Sequence, residues 1–543
     1  MSDEKVNVWK YIRKHKIQLT IILVFSIISM ISSVIVPSLN GAFIDMLIVT
    51  TSVNEILKYA AIIIVIGLLG ALASYFVNMS TAKLTAKTTF NMMSDTINHI
   101  QKIPYDTFTS KFNPAYLIQR ISGDLSTMFT FFLNNFMSVF LQGVTFVVVA
   151  YIIATINIQI FFLSLLFLPI YLGCYMAIKK PLFTRNIELK ENSNHYSKTM
   201  FEQINRIQEI KAEATFQKSI EIENRSFGQY LKSLISFSRL SYLFSSMDAL
   251  IAVLFQSIVL VIGGIQIING NLSIGEFTIV NTYFYMLLTS VKYYFNFGKS
   301  YQDYKSSSAR MSEIMSIENE HNGNNKVKDI NSIKVKDVKY AYVTPGPNVI
   351  DGITAEFRKG EVSLVTGPNG IGKTTLINVL LGILQNLKSG NVSYDDMDLS
   401  EIDLYSARQD EISTMIQRID LPDSTVEEYL NDSLGLNKEE IIAMINLMGL
   451  DQMYFGENFD LSECWDSKIN TLSGGEKQKV MLVKVLGKRK PVLILDEPST
   501  GMDDIGIQYL LKYLQSTKKD NLTIVISHDL RFKDIADNVI VLG

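Results

Sequence analysis

The chain has 543 residues, 48% of them hydrophobic, and a formal net charge of −3. That length implies more than one domain, and the apolar fraction is above that of an average soluble protein. With no basic face to neutralise phosphates, a nucleic-acid partner is excluded. The only cysteines, Cys174 and Cys464, supply neither a disulfide framework nor a cysteine-rich metal site.

Up to about residue 300, six stretches approach or exceed the ~20 mostly apolar residues that cross a bilayer: 18–44, 56–80, 129–155, 157–178, 247–269 and 276–298. Lys10, Arg13, Lys14 and Lys16 precede the first, and no small-residue cleavage site follows it, which predicts a retained anchor. The turns at 46–54, 155–157 and 270–275 carry no Lys or Arg, whereas 81–128 and 179–243 are rich in both. By the positive-inside bias this predicts a multi-pass protein of the cytoplasmic membrane, with both termini on the cytoplasmic side. The two basic segments are expected to be helices running far beyond the bilayer.

Asp248 and Lys292 are ionisable groups within these spans, each about twenty residues from the turn at Asn269–Leu272 and therefore at similar depth. Two readings fit them equally: a pair at the mouth of a substrate cavity, or side chains snorkelling into the headgroups.

The polar, Asn-rich run 319–330 suits a linker between a membrane domain, 1–318, and a soluble domain, 331–543. In the latter, "EVSLVTGPNGIGKTTLINVLLGIL" reads as strand, glycine loop and amphipathic helix. Gly367, Gly372, Lys373 and Thr374 fit a phosphate-binding loop. The backbone of Gly367, Pro368, Asn369, Gly370, Ile371, Gly372 and Thr375 curls around phosphates, with an N–H donor at each residue but Pro368, while Lys373 neutralises their oxygens and Thr374 is left for Mg2+. "PVLILDEPS" reads as a buried parallel strand ending in two carboxylates. Asp496 is expected to reach Mg2+ through water, while Glu497, pointing elsewhere because strand side chains alternate, serves as general base. A third strand, "TIVISHD", delivers His528 to the same kind of strand end, suited to a γ-phosphate contact.

"LSGGE", Leu472, Ser473, Gly474, Gly475 and Glu476, offers a hydroxyl, two residues without side chains and a helix start, yet lies about a hundred residues after the phosphate loop. Taken with that loop it resembles the signature motif of the ATP-binding cassette superfamily, of the exporter type with six spans and one nucleotide-binding domain per chain. The resemblance covers nearly the whole chain, including "IPYDTFTSKFNPAYLIQRISGDL" as a first cytoplasmic loop ending in a short coupling helix.

It implies a six-span membrane α-helical bundle with long cytoplasmic extensions, plus an α/β P-loop domain with a helical subdomain. It also implies a dimer in which the signature of one copy closes over ATP held by the other; the partner is a second copy of the chain or a related one. Tyr342 matches the aromatic that stacks on adenine, with Tyr340 as the neighbouring alternative. Gln417 matches the glutamine that contacts Mg2+ and the attacking water, and Asp503 the residue that links the two sites. Lys484 stands where an arginine is common, and "LSECWDSKINT" lacks the usual pattern ahead of the signature.

The implied activity is ATP hydrolysis driving export across the lipid bilayer. The cargo is expected to be a bacteriocin-like or modified peptide, with multidrug or lipid export as the alternative, and import or a non-transporting ATPase-gated sensor behind those. With about seventeen residues ahead of the first span, a fused cysteine-peptidase domain is not expected.

Overall fold

The structure, a computed structural model, describes residues 8–49, 52–112, 114–342, 346–416, 421–451 and 459–542. It divides into two compact units: the described residues up to 97 with 118–316, and 98–117 with 317–543.

The first unit is all helix. A short α1 (Val8–Ile12) leads into α2 (Lys16–Val49), followed by α3 (Val53–Ile100), α4 (Tyr105–Lys111), α5 (Pro114–Ile156), α6 (Ile158–Asn205), α7 (Ile207–Ala212), α8 (Phe216–Ile268) and α9 (Ile274–Met315); of these, α4 and the adjoining ends of α3 and α5 fall in the second unit. Helices of 34 to 53 residues exceed the ~20 that a bilayer requires, so their polar ends project beyond it, as the basic segments predicted. Among the described residues five helices are apolar and long enough to cross a membrane: Val8–Val49, Val53–Ile100, Arg120–Ile156, Ile158–Asn205 and Phe216–Ile268. The sixth expected span lies on α9, which is richer in Tyr, Ser and Lys and packs along α2, just as α6 packs along α8.

Small residues set how closely these helices approach. Gly41 on α2 and Gly275 on α9 meet where an added Cβ on either would collide with the other's carbonyl. Beside them Asp45 accepts from Ser273 Oγ at 2.5 Å and from the Gly275 amide at 2.7 Å, so α9 begins on a carboxylate fixed to α2. Further along, the buried Tyr283 hydroxyl donates to the Val34 carbonyl at 2.6 Å. At the other end of α9, Asp124 of α5 accepts from Ser307 at 2.9 Å and from Arg310 Nε at 2.8 Å, and Arg120 pairs with Glu313.

The second unit holds two sheets. The antiparallel one has the order β2 (Ile350–Arg358), β1 (Ser332–Tyr340), β4 (Ser389–Tyr394), β5 (Met397–Asp398). The parallel one runs β10 (Asn538–Val541), β3 (Val362–Thr366), β9 (Leu522–Ile526), β8 (Val492–Asp496), β6 (Ile412–Met415); a two-residue β7 (Phe459–Asp460) lies outside both. β8 and β9 are buried at every residue, because a parallel sheet covered on both faces needs continuous apolar runs. One apolar core packs β1, β4 and the helix Lys373–Leu380, and a second gathers Val426–Leu434, Lys438–Leu447 and Gly474–Gly487 into a helical subdomain. Trp465, in the atypical stretch before the signature, is fully buried in that second core.

The expected linker is docked. Gly323 donates to the Ile402 carbonyl at 2.8 Å, Asn322 to Asp403 at 2.8 Å, and Arg408 to Glu320 at 3.1 Å. A Cβ at Gly323 would run into the Glu401 backbone, so only glycine allows this approach. The loop 98–117 belongs to this unit as well: Asn386 donates to Asp106 at 2.7 Å and the Glu320 amide to the Lys102 carbonyl at 2.6 Å.

Candidate functional site

Three neighbouring strands of the parallel sheet end at one place. β3 is followed by the glycine loop, β9 by His528 and β8 by the paired carboxylates, and β9 lies between the other two. The C-terminal edge of a parallel sheet is where α/β proteins bind ligands, so chain order and sheet order together converge these motifs.

Gly370 and Gly372 adopt φ of 83° and 103°, open to glycine at no steric cost, and a Cβ at Gly372 would meet the Val349 carbonyl at 2.8 Å. The loop thereby folds tightly onto the first turn of the helix Lys373–Leu380, whose free amides suit an anion. Lys373, almost fully buried, donates to the Gly367 carbonyl at 2.8 Å and lies 3.9 Å from Glu497. Thr374 Oγ1 donates to Asp496 Oδ2 at 2.9 Å. These are two hard oxygen donors side by side, a set that fits Mg2+ completed by water and phosphate oxygens.

Glu497 does not follow the strand alternation expected of it. β8 ends at Asp496, and Glu497 sits at φ 51°, a left-handed conformation costly to a residue with a side chain and typical of functional sites. That turn brings its carboxylate to 2.8 Å from His528 Nδ1, so the two carboxylates converge on the loop instead of diverging. Burial pushes the Glu497 carboxyl above its ordinary range, against the pull of His528 and Lys373. His528, with 61% of its side chain exposed, orients this carboxylate while keeping one face open.

Tyr340 and Tyr342 separate cleanly. Tyr340 is buried in β1 at 1% exposure; Tyr342 is 46% exposed and its hydroxyl lies 3.1 Å from Thr375 Oγ1, beside the phosphate loop. The rings meet edge to face at 5.2 Å.

Ser473 caps the helix Gly474–Gly487 in a reciprocal box: its hydroxyl accepts from the Glu476 amide, and Glu476 accepts from the Ser473 amide at 2.7 Å. Those bonds hold the Glu476 carboxyl below its ordinary range. Of the two glycines, Gly475 is required locally, because its backbone lies against Gly501, whereas Gly474 faces open space. Leu472 is buried beneath them. Asp503 caps the helix Asp504–Thr517 through the Gly506 amide at 2.8 Å and pairs with buried Lys479 at 3.2 Å.

The sequence reading missed Gln478, which ties the signature helix to the carbonyls of Glu497 and Pro498 at 3.2 and 3.4 Å. Only its spacing on the helix after "LSGGE" pointed to it. Lys484, in place of an arginine, lies over the Tyr429 ring at 4.6 Å and donates to its hydroxyl at 3.0 Å; burial pushes its pKa down. Gln417 and the Asp248 side chain lie outside the described residues. Lys292 is half-buried on α9.

Membrane helices joined to an α/β unit with a phosphate loop, a carboxylate strand and a capped glycine-led helix define a membrane transporter driven by nucleotide hydrolysis. The family description "ABC transporter transmembrane region" matches residues 19–291 and "ABC transporter" matches 350–500, and the chain belongs to the ABC transporter family. It is similar to the transport/processing ATP-binding protein ComA of Streptococcus pneumoniae, at 24% identity over 94% of this chain and 72% of that protein. The lactococcin-A transport/processing ATP-binding protein LcnC of Lactococcus lactis subsp. lactis is 24% identical over 98% of this chain and 74% of its own length. Among solved structures, a bacterial Atm1-family ABC exporter with ATP bound superposes with a TM-score of 0.83 at 16% identity, over 97% of this chain and 93% of the other, which shows the shared fold. The chain is thus a membrane protein that binds ATP and couples its hydrolysis to transport.

Proposed function

We propose that the protein exports a peptide from the cytoplasm and works as a dimer of identical chains. The observation that carries the ATPase part is the cluster of Lys373, Glu497 and His528 beside Thr374 and Asp496 at the ends of three adjacent strands. Peptide cargo is supported by the transport/processing roles named for ComA and LcnC.

In this reading the amides from Gly367 to Thr375 and the Lys373 ammonium hold the triphosphate, with Tyr342 stacked on the base. Thr374, Asp496 and Gln417 hold Mg2+, which offsets phosphate charge when bound. Glu497, oriented by His528, accepts a proton from the attacking water. Phosphoryl transfer depends on positioning and charge stabilisation, and one chain surrounds the phosphate from one side only. A partner's Ser473-led helix supplies the opposite wall, with Gly474 as the open contact point, and Asp503 links the two sites. The nucleotide unit faces the cytoplasm, where ATP is found.

The test is reconstitution of the full chain in vesicles with peptides of different sequence. Peptide-stimulated hydrolysis together with peptide accumulation in the lumen is the expected result. Full hydrolysis by discs holding a single chain would refute the dimer, and stimulation by drugs or lipids alone would refute the cargo.

A further inference from the structure

A half-open cavity of about 410 Å3 lies on the helical unit, walled by α2, α3, α5 and α9. Nine of its thirteen lining residues are Ser, Thr or Gln, the others are Met, Val or Leu, and none is ionisable. Hydroxyls on apolar helices commonly turn back to a carbonyl of their own helix, as Ser33 and Thr289 do here toward Met30 and Met286 at 2.7 and 2.9 Å. Ser26, Ser29 and Thr145 do not: among the described residues their hydroxyls make no bond to the protein and line the cavity.

Ser26, Ser29 and Ser33 follow helical spacing, so they share one face of α2. Opposite them Gln142 accepts from Ser290 at 2.9 Å, which leaves its NH2 group to donate. These hydroxyls face the cavity and not a neighbouring helix, so the wall offers hydrogen bonds to whatever occupies it. An ion would find no counter-charge in it and would lose its hydration. A neutral group with both donors and acceptors satisfies it, because each hydroxyl does either job.

We propose that this cavity is a recognition subsite for an uncharged, amide-rich segment of the cargo, a stretch of peptide backbone with small neutral side chains held by Ser26, Ser29, Thr145 and Gln142. The inference rests on the export reading above and adds what the cargo presents to the bundle. The volume falls within the ~300–1,000 Å3 of small-ligand pockets, room for a short segment and not for a folded domain. Lys292 is not among the lining residues, so the subsite is separate from the charged position that the sequence singled out.

The test uses the full chain in lipid nanodiscs and three labelled nine-residue peptides: a neutral Gly/Ala/Ser sequence, the same with two central Asp or Lys residues, and the neutral one N-methylated at alternate amides. The neutral peptide is expected to bind at least roughly tenfold more tightly than either relative, the scale of one or more lost buried hydrogen bonds. Thr145→Val, which keeps the side-chain shape, combined with Gln142→Leu is expected to reduce its affinity to that of the N-methylated peptide. Melting curves check that the variant is folded, and the peptide series on the unaltered protein needs no variant. Equal binding of all three peptides, or undiminished binding by the folded variant, overturns the assignment. A neutral cyclic dipeptide that binds with the same dependence on Thr145 and Gln142, while no peptide enters vesicles, supports the subsite chemistry and refutes peptide export. Peptide entry into vesicles that is untouched by the double substitution refutes the subsite and leaves export standing.

Discussion

Gly474 and Gly475 are adjacent in sequence and look interchangeable, yet substitution is expected to affect them in opposite ways. An alanine Cβ at Gly475 would lie 2.3 Å from the Gly501 carbonyl oxygen, and Gly501 itself holds φ 76° in the turn that follows the two carboxylates. Backbone must move, and overpacking of this kind costs about 1–3 kcal/mol. For a unit of this size each kcal/mol lowers the melting temperature by roughly 2–4 °C, so Gly475→Ala is expected to melt about 2–12 °C earlier. At Gly474 nothing lies within 4 Å of an added Cβ, and alanine is the better helix former, so Gly474→Ala should melt no earlier than the unaltered chain. In the proposed dimer its effect belongs to assembly: a methyl at the proposed contact with a partner's nucleotide should cut hydrolysis at least roughly tenfold. Thermal melting and ATPase rates of both full-length variants in the same detergent separate the two. Equal destabilisation by both substitutions, or a Gly474→Ala variant with full turnover, would refute the assignment of one glycine to packing and the other to the interface.

Other consequences can be checked in the same preparations. Glu497→Gln should lower hydrolysis at least ~100-fold while nucleotide still binds; because burial raises the Glu497 pKa and the proposed base is its ionised form, the acidic limb of the rate profile should lie above the ordinary value of 4.5. Tyr342→Ala should weaken ATP binding by about 1–3 kcal/mol without loss of fold, whereas Tyr340→Ala should destabilise the soluble unit by about 3–5 kcal/mol, as dye-nucleotide binding and melting will show. The depressed Glu476 carboxyl gives stability that is present above its ordinary 4.5 and lost as pH falls through the lower folded value; Glu476→Gln, which keeps the cap at any pH, should flatten that acid dependence in melting scans. Arg310→Ala should cost about 1–3 kcal/mol by leaving buried Asp124 with Ser307 alone, below the figure for a fully buried pair because 43% of the arginine side chain is exposed. Asp124→Asn in the same chain should restore part of it.

The motifs were legible because each is a local strand–turn–helix or strand-end pattern, readable within about ten residues around Lys373, Asp496 or His528. What joins them is sheet order, and a single sequence does not say that β9 lies between β3 and β8. Strand alternation turns Glu497 away from Asp496 in the sequence reading; alternation assumes the strand continues, and the left-handed φ of Glu497 ends it. Glu476 reads as part of a ligand motif, and its bonds to Ser473 show a cap that any helix start would use. Hydropathy found the spans but averaged over the serines of α2, whose common face shows only once other helices enclose it. Similarly, α9 is polar by composition and helical by packing, since α2 covers Tyr283 and the turns beside it.

The nucleotide unit is not one continuous piece of chain. Twenty residues, 98–117, are synthesised about two hundred residues before the remainder that begins at 317. A gene fragment starting at the docked linker would encode both sheets, yet leave Asn386 without Asp106 and the Glu320 amide without the Lys102 carbonyl. During translation the early piece must wait, already tethered to finished helices, until its counterpart emerges. The soluble half therefore completes its surface contacts only with a piece that the membrane half delivers.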